Sequence, residues 1–309
     1  MVGARIADTW RRALDSDIFY SFKSSKVTIV AAIWTFIAIT TAVLAPWITP
    51  QNPFDPGALD LMDAFAPPMW MEEGTAQFWL GTDDQGRDLF SALIYGSRVS
   101  LLVGFASVLL SLVIGVSAGL LAGYVGGALD AAIMRVADVQ ISFPSILVAL
   151  LVDGVARSLV EPQMHDQIAI PVLIFAIGVS GWVQFARTVR GSTMVEKHKE
   201  YVQAARVIGR SSVAIMLRHV LPNVMGPVLV IATIGLAVAV LTEATLSFLG
   251  VGVPPTEPSL GTLIRIGNNF LFSGEWWIVI FPGAVLAALV LAVNLLGDWL
   301  RDALNPKLR

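Results

Sequence analysis

A chain of 309 residues that is 56% hydrophobic and 14% charged, with a mean hydropathy of +0.74, is too apolar for a soluble globular domain. Its net charge of −3 gives no footprint for a nucleic-acid partner, and the absence of cysteine excludes disulfides, thiolate metal sites and cysteine nucleophiles. The composition predicts an all-α polytopic membrane protein.

The first apolar run, 27–48, follows a basic N-terminal arm, 1–26. The run ends in Pro46-Trp47 rather than in a small-residue cleavage site, so it reads as a retained span and not as a cleaved signal. An acidic, Pro-rich loop follows over 49–98. Within it Thr82 and Gln85 fit a T-x-x-Q capping box, and Leu89, Phe90, Leu93 and Ile94 recur at helical spacing. This predicts an amphipathic helix lying along the outer surface, and both a membrane-hugging connector and a solute-contacting surface fit it.

The next apolar run, 99–124, carries Ser111, Gly115, Gly119 and Gly123 four residues apart. On a helix these form one smooth stripe, which lets a neighbouring backbone approach where lipid supplies no hydrophobic drive. Further apolar runs lie at 133–154, 168–186, 224–250 and 276–296, making six spans at about twenty residues per crossing. The membrane core is read as 99–298 and the tail as 299–309.

With the N-terminus inside, 16 of the 20 basic residues fall on the cytosolic face, and only Arg87, Arg98, Arg157 and Arg265 fall outside. That asymmetry sets both termini in the cytosol. Asp153 and Glu243 lie within spans and have no obvious charged partner in their own helices. An intramembrane carboxylate costs several kcal/mol unless it meets water or a donor, so each is expected to face the bundle interior or a polar cavity. A satisfied structural group and a pathway-lining group are both open for Glu243, while Asp153 fits the outer interface.

His165, His198 and His219 are scattered with no spacing that would hold a metal. No G-x-x-x-x-G-K-[ST] loop is present, and no nucleophile-base pairing suggests a catalytic site. The chain reads as a non-enzyme, and any ATP that drives it is bound by another chain.

The most polar stretch, 196–222, sits between the fourth and fifth spans and carries too many charges to cross hydrocarbon. Tyr201, Ala205 and Ile208 are predicted to share one helix face with Ala204 beside them, flanked by Arg206 and Arg210. Gly209 supplies a turn, a second helical run covers 211–220, and Leu221-Pro222 leads into the next span. Amphipathicity alone does not choose between a helix resting on lipid headgroups and one that docks a partner.

Gln203-Ala204-Ala205, Gly209 and Leu221-Pro222 resemble the EAA loop of bacterial importer permeases, with Gln203 standing where the pattern has Glu. Gln keeps the length and hydrogen-bonding capacity of the acid. Gly81-Thr82-Asp83-Asp84-Gln85-Gly86-Arg87-Asp88 and Tyr95-Gly96-Ser97-Arg98-Val99-Ser100-Leu101 are similar to the outer-loop signature of ABC permeases of the dipeptide, oligopeptide and nickel class. Glu243-Ala244-Thr245-Leu246-Ser247-Phe248-Leu249-Gly250 and the tail from Gly297-Asp298-Trp299 through Asn305-Pro306 also match it. The order of motifs resembles the second permease of such systems.

The resemblance implies a type I importer permease fold, six transmembrane helices with a cytosolic coupling helix between spans four and five, in a bacterial inner membrane. It implies a homologous permease, two cytosolic ATPases that bind the ATP and magnesium, and an extracytoplasmic solute-binding protein as partners. By the same resemblance Tyr201, Gln203, Ala204, Ala205, Arg206, Gly209, Leu221 and Pro222 couple to an ATPase. No cofactor is expected in this chain. The expected solutes are peptides, with nickel complexes, glutathione, opines and sugars as alternatives in the class. An ion- or proton-coupled transporter using Asp153 or Glu243 as relays is the rival reading, and no inverted repeat supports it.

Overall fold

The computed structural model describes residues 17–55, 57 and 59–304. Arg5, Arg11, Arg12, Lys307 and Arg309 of the basic set, and Asn305-Pro306 of the tail motif, lie outside the described residues. Among the described residues the chain is helical, with one isolated bridge between Thr82 and Asp88.

In chain order the main helices are α1 (Lys26–Val43), α2 (Leu89–Val125), α3 (Gly127–Ile141), α4 (Ser145–Ser158), α5 (His165–Glu196), α6 (Glu200–Val207), α7 (Leu221–Phe248), α8 (Leu260–Asn268) and α9 (Trp277–Ala303). Of these α1, α2, α5, α7 and α9 belong to five segments long and apolar enough to cross a membrane. The α3–α4 pair, bent by 93°, is long and apolar enough only when its two helices are taken together, and makes a sixth if it counts as one span.

That bend divides the single span expected over 133–154 into two helices. Pro144 cannot donate a backbone hydrogen bond and its ring disfavours helical geometry at Phe143, so the helix stops at Ile141 and restarts at Ser145. The Phe143 amide is satisfied locally by the Gln140 carbonyl.

A second correction concerns the start of α2. The expected capping box at Thr82 does not form. Asp88 caps the helix instead, its Oδ2 accepting from the Ser91 amide at 2.9 Å and from the Ser91 hydroxyl at 2.5 Å. The Thr82 hydroxyl donates to the Asp63 carbonyl and accepts from the Ala66 amide, which ties two stretches of the loop together. Nor does the segment after Asp88 lie along an outer surface: Leu89, Leu93 and Ile94 are buried as the first turns of α2 itself.

The expected small-residue stripe packs as its spacing suggests, against α5. A Cβ added at Gly115 would lie 2.5 Å from the Trp182 carbonyl oxygen, one at Gly119 2.4 Å from the Ala186 carbonyl oxygen, and one at Gly123 2.8 Å from the Arg190 carbonyl oxygen. Backbones this close gain many carbon contacts worth ~0.1–0.2 kcal/mol each, which is the available attraction where solvent is apolar. Ion pairs hold α3 onto the same helix: Arg190 grips Asp130 through two bonds of 2.5 and 2.7 Å, and Arg187 meets Asp138 at 2.6 Å.

Apolar packing divides by position along the bundle. At the end that carries the 49–88 loop, Leu89, Val240, Leu260, Leu263, Ile278 and Leu289 join α2, α7, α8 and α9. At the opposite end Val116, Phe185 and Val189 pack with Val202, Ile215, Val220 and Val228, so the polar stretch after α5 is folded back onto the bundle. The α8 helix was not anticipated from hydropathy, since its nine residues are too few for a span.

Candidate functional site

The turn between α5 and α7 is built from breaks that the sequence encodes residue by residue. Helix α5 stops at Glu196, Lys199 is extended at ψ 151°, and α6 begins at Glu200. Gly209 then adopts φ +79°, a left-handed value that a side chain disfavours, and reverses the chain. Ser211 caps the next turn, accepting from the Ala214 amide at 3.3 Å. The last link, Met216–Val220, is a π turn in which the Leu221 amide reaches the Met216 carbonyl. Pro222 sits just beyond and has no amide to offer, and the Asn223 side-chain amide takes up the His219 carbonyl at 2.7 Å.

The faces of α6 differ from the expectation. Ala205 is 5% exposed and packs inward with Val202 onto the α2 and α5 core, so it does not share an outward face with Ile208. The outward surface is Gln203 and Ala204, ending in Val207 at 88% and Ile208 at 76% exposed. Spacing of three and four residues finds a face, but which face meets the bundle depends on where α5 ends, and that was not legible.

Polar contacts clamp this elbow to two transmembrane helices. Lys197 donates to the Gly123 carbonyl at 2.7 Å, at the carbonyl-rich end of α2 where a cation is favoured. The Tyr201 hydroxyl donates to the Glu196 carboxylate, which also meets Lys199 at 2.9 Å. Burial and the adjacent Glu196 carboxylate push the Tyr201 phenol up to about 12, so it stays a donor throughout the physiological range. The Arg206 guanidinium lies 5.3 Å from the centre of the Tyr124 ring, a cation–π contact back to α2. Gln203 donates to the Lys197 carbonyl at 3.3 Å, tying α6 to the end of α5. Sequence reasoning placed Gly123 only in the packing stripe, took Glu196, Lys197 and Lys199 only as part of the charged 196–222 stretch, and did not single out Tyr124. The charges of Glu196, Lys197 and Lys199 were in plain view, but their partners come from another helix or across the kink.

At the other end of the bundle the Gly81 to Asp88 motif shapes a buried turn. Gly86 has φ +72° and a Cβ there would strike the Asp60 carbonyl oxygen at 2.1 Å. The Asp83 Oδ1 accepts from the Gln85 and Arg87 amides at 2.9 and 3.0 Å, and Trp277 of α9 donates to the Thr82 carbonyl at 3.1 Å. Arg87 reaches across to the Pro255 carbonyl at 3.0 Å, fastening this loop to the α7–α8 connection. Burial pushes the Asp83 carboxyl up to about 6, against the opposing pull of those amides and Arg87. The motif residues therefore organise the loop.

Both intramembrane carboxylates turn out to be partnered. Glu243 is fully buried and accepts from Ser100 at 2.6 Å and from Ser247 at 2.7 Å, joining α2 to α7. Asp153 bonds Arg157 Nε at 2.7 Å one helical turn away, a partner the sequence reading overlooked in its own helix. Neither carboxylate is left without a partner.

Residues 115–309 match the family model described as binding-protein-dependent transport system inner membrane component. The chain is 38% identical over 293 residues to the dipeptide transport system permease protein DppC of Haemophilus influenzae, covering 95% of each chain. It is 36% identical to the di/tripeptide transport system permease protein DppC of Pseudomonas aeruginosa, covering 95% of this chain and 92% of that one. It is 35% identical to the oligopeptide transport system permease protein OppC of Bacillus subtilis, covering 96% and 91%. Among solved structures, an inward-facing form of the MetNI methionine ABC transporter contains a chain of the same fold. The TM-score is 0.54 at 20% identity, over 69% of this chain and 96% of that one.

Proposed function

Since the chain belongs to the family of binding-protein-dependent transport inner membrane components and is a non-catalytic ABC permease subunit, we propose that it forms half of a translocation pathway for di- and oligopeptides. The relatives named for dipeptide, di/tripeptide and oligopeptide transport support that solute class. Its partners are a homologous permease, two cytosolic ATPases that bind ATP and magnesium, and a binding protein that delivers the peptide to the end carrying the 49–88 loop. Both termini lie in the cytosol of a bacterial inner membrane, in keeping with the basic residues crowded on that face.

Mechanical coupling follows from the elbow. Gln203, Ala204, Val207 and Ile208 enter an ATPase cleft, with Arg206 and Gly209 shaping the helix end. Force on that tip passes to α2 through Lys197 and Arg206, and to α7 through the π turn and Leu221-Pro222. Whichever bundle state the ATP-closed ATPases bind better becomes populated, so tight coupling requires that α6 be rigidly joined to both helices. The observation that carries this reading is an exposed apolar tip on a helix whose other face is fixed to the bundle core.

The test is uptake of labelled dipeptide by proteoliposomes holding the full complex. Import that requires internal ATP and external binding protein is expected. Import that ignores ATP and follows a proton gradient overturns the proposal in favour of a secondary transporter.

A further inference from the structure

Midway along α2, α5 and α7 a set of small polar side chains gathers where a lipid-facing or purely packed surface would carry leucine or alanine. Ser107 and Ser111 of α2, Ser145 of α4, Ser180 and Gln184 of α5 and Thr242 of α7 line a cleft of about 120 Å³ that contains no ionisable group. Gly181 and Gly235 complete its floor, and a Cβ on Gly181 would press to 2.6 Å from the Ser111 hydroxyl.

The polarity is not used up within the chain. Ser107 is 0% exposed, yet its hydroxyl finds no partner among the described residues. The hydroxyls of Ser111, Ser180 and Thr242 donate to the Gly178, Ala176 and Val238 carbonyls at 2.7, 2.7 and 2.8 Å. Donation leaves each oxygen free to accept, so the wall presents hydroxyl acceptors together with the Gln184 amide, which can both donate and accept. Ser145, Gln184 and Val238 form an exposed rim, so the cleft opens away from the bundle. Covering that rim with hydrocarbon would leave the Gln184 amide and the Ser145 hydroxyl without the water that an exposed polar group needs, which disfavours a lipid-facing role.

We propose that this cleft is the part of the pathway wall that touches the passing peptide, and that it reads backbone amides rather than side-chain charge. This rests on the permease reading above. The backbone amide is the uncharged hydrogen-bonding group common to peptides whatever their side chains, and the lining offers it acceptors and an amide. A charge in this wall would discriminate by the sign of the cargo, since charges a few ångströms apart at a partly shielded surface interact far more strongly than in bulk water. A neutral wall lets acidic, basic and neutral peptides pass alike.

The test uses the full complex in proteoliposomes. Gln184→Glu and, separately, Thr242→Asp are expected to raise the ratio of Ala-Lys to Ala-Glu uptake about tenfold over the parent, equivalent to ~1.4 kcal/mol. In a second arm, Thr242→Cys in this cysteine-free chain is modified by a charged thiol reagent during turnover, and excess dipeptide is expected to slow the modification. An unchanged uptake ratio in a variant that still imports overturns the assignment, as does a Thr242→Cys rate indifferent to dipeptide, or one blocked throughout as though a partner helix filled the cleft. If neither charge variant imports, the thiol arm alone decides. Loss of ATP-driven import by the parent complex overturns the permease reading instead, so the two failures are distinguishable.

Discussion

The ammonium group of Lys197 lies 2.7 Å from the carbonyl oxygen of Gly123, joining the first residue after α5 to the end of α2. Gly123 is also the last residue of the stripe that lets α2 and α5 touch backbone to backbone. The two helices are thus fixed along their length by close approach and at their ends by one charge-assisted bond, beside the helix proposed to receive the ATPase.

Replacing Lys197 by Met keeps the aliphatic stem and removes the donor. A hydrogen bond to a charged group contributes about 1.5–3 kcal/mol. The variant is expected to assemble with the ATPases but to import several-fold less peptide per ATP hydrolysed. Parallel assays of uptake and phosphate release in the same proteoliposomes measure this, and an unchanged ratio contradicts a mechanical role for the contact.

The opposite burial of neighbouring alanines separates docking from folding. Ala204→Trp enlarges the exposed face and is expected to leave the thermal midpoint of the purified permease unchanged while abolishing ATPase co-purification. Ala205→Trp overfills the core beneath α6 and is expected to destabilise the fold by about 1–3 kcal/mol. Single-cysteine labelling gives a finer check: Ile208→Cys should react in the isolated permease and be shielded by the ATPase, whereas Ala205→Cys should react poorly in both.

Gly119→Leu tests the stripe. With the Ala186 carbonyl oxygen 2.4 Å from where even a Cβ would sit, α2 and α5 must separate to admit the larger side chain. Overpacking costs typically 1–3 kcal/mol, occasionally more, and the loss is read as a lower unfolding temperature in detergent. The same substitution at Gly126, where an added Cβ meets nothing within 4 Å, serves as a contrast for crowding, although its φ of +73° adds local backbone strain.

Asp83 gives a pH signature. Its carboxyl is held near 6 in the fold against 3.8 for the ordinary group, so the folded loop binds the proton more tightly than the unfolded chain does. The associated stability is fully present below pH 3.8 and is lost as pH rises through about 6, amounting to roughly 3 kcal/mol at most. Protease resistance of the 49–88 loop should therefore be higher at pH 5 than at pH 7.5. Asp83→Asn keeps an oxygen for the Gln85 and Arg87 amides and should flatten that dependence.

Particular residues show where sequence reading succeeds and fails. The Ser111 to Gly123 spacing predicted close helix packing because a repeat of four on a helix always lies on one side, whatever the partner. Pro144 carried its bend in plain sight, yet hydropathy summed across it and drew one span. Thr82 and Gln85 satisfied a capping pattern, but the Asp63 carbonyl and Ala66 amide, distant in sequence, engaged Thr82 first. Ala205 was assigned the wrong face because spacing defines relative orientation on α6 and not its rotation against α2 and α5.

The sequence by itself determined the apolar character of the candidate crossings, the segment too charged to enter hydrocarbon and the family motifs. Those are properties of composition and short-range spacing, fixed by the cost of placing each side chain in lipid or water. Tertiary structure alone decided that Glu243 meets Ser100, that Lys197 reaches Gly123, which side of α6 is left exposed, and that six scattered polar residues share one uncharged cleft. Each depends on the rotation and depth of one helix against another. Where lipid exerts no hydrophobic drive between helices, that choice is made by close packing and by the pairing of buried polar groups.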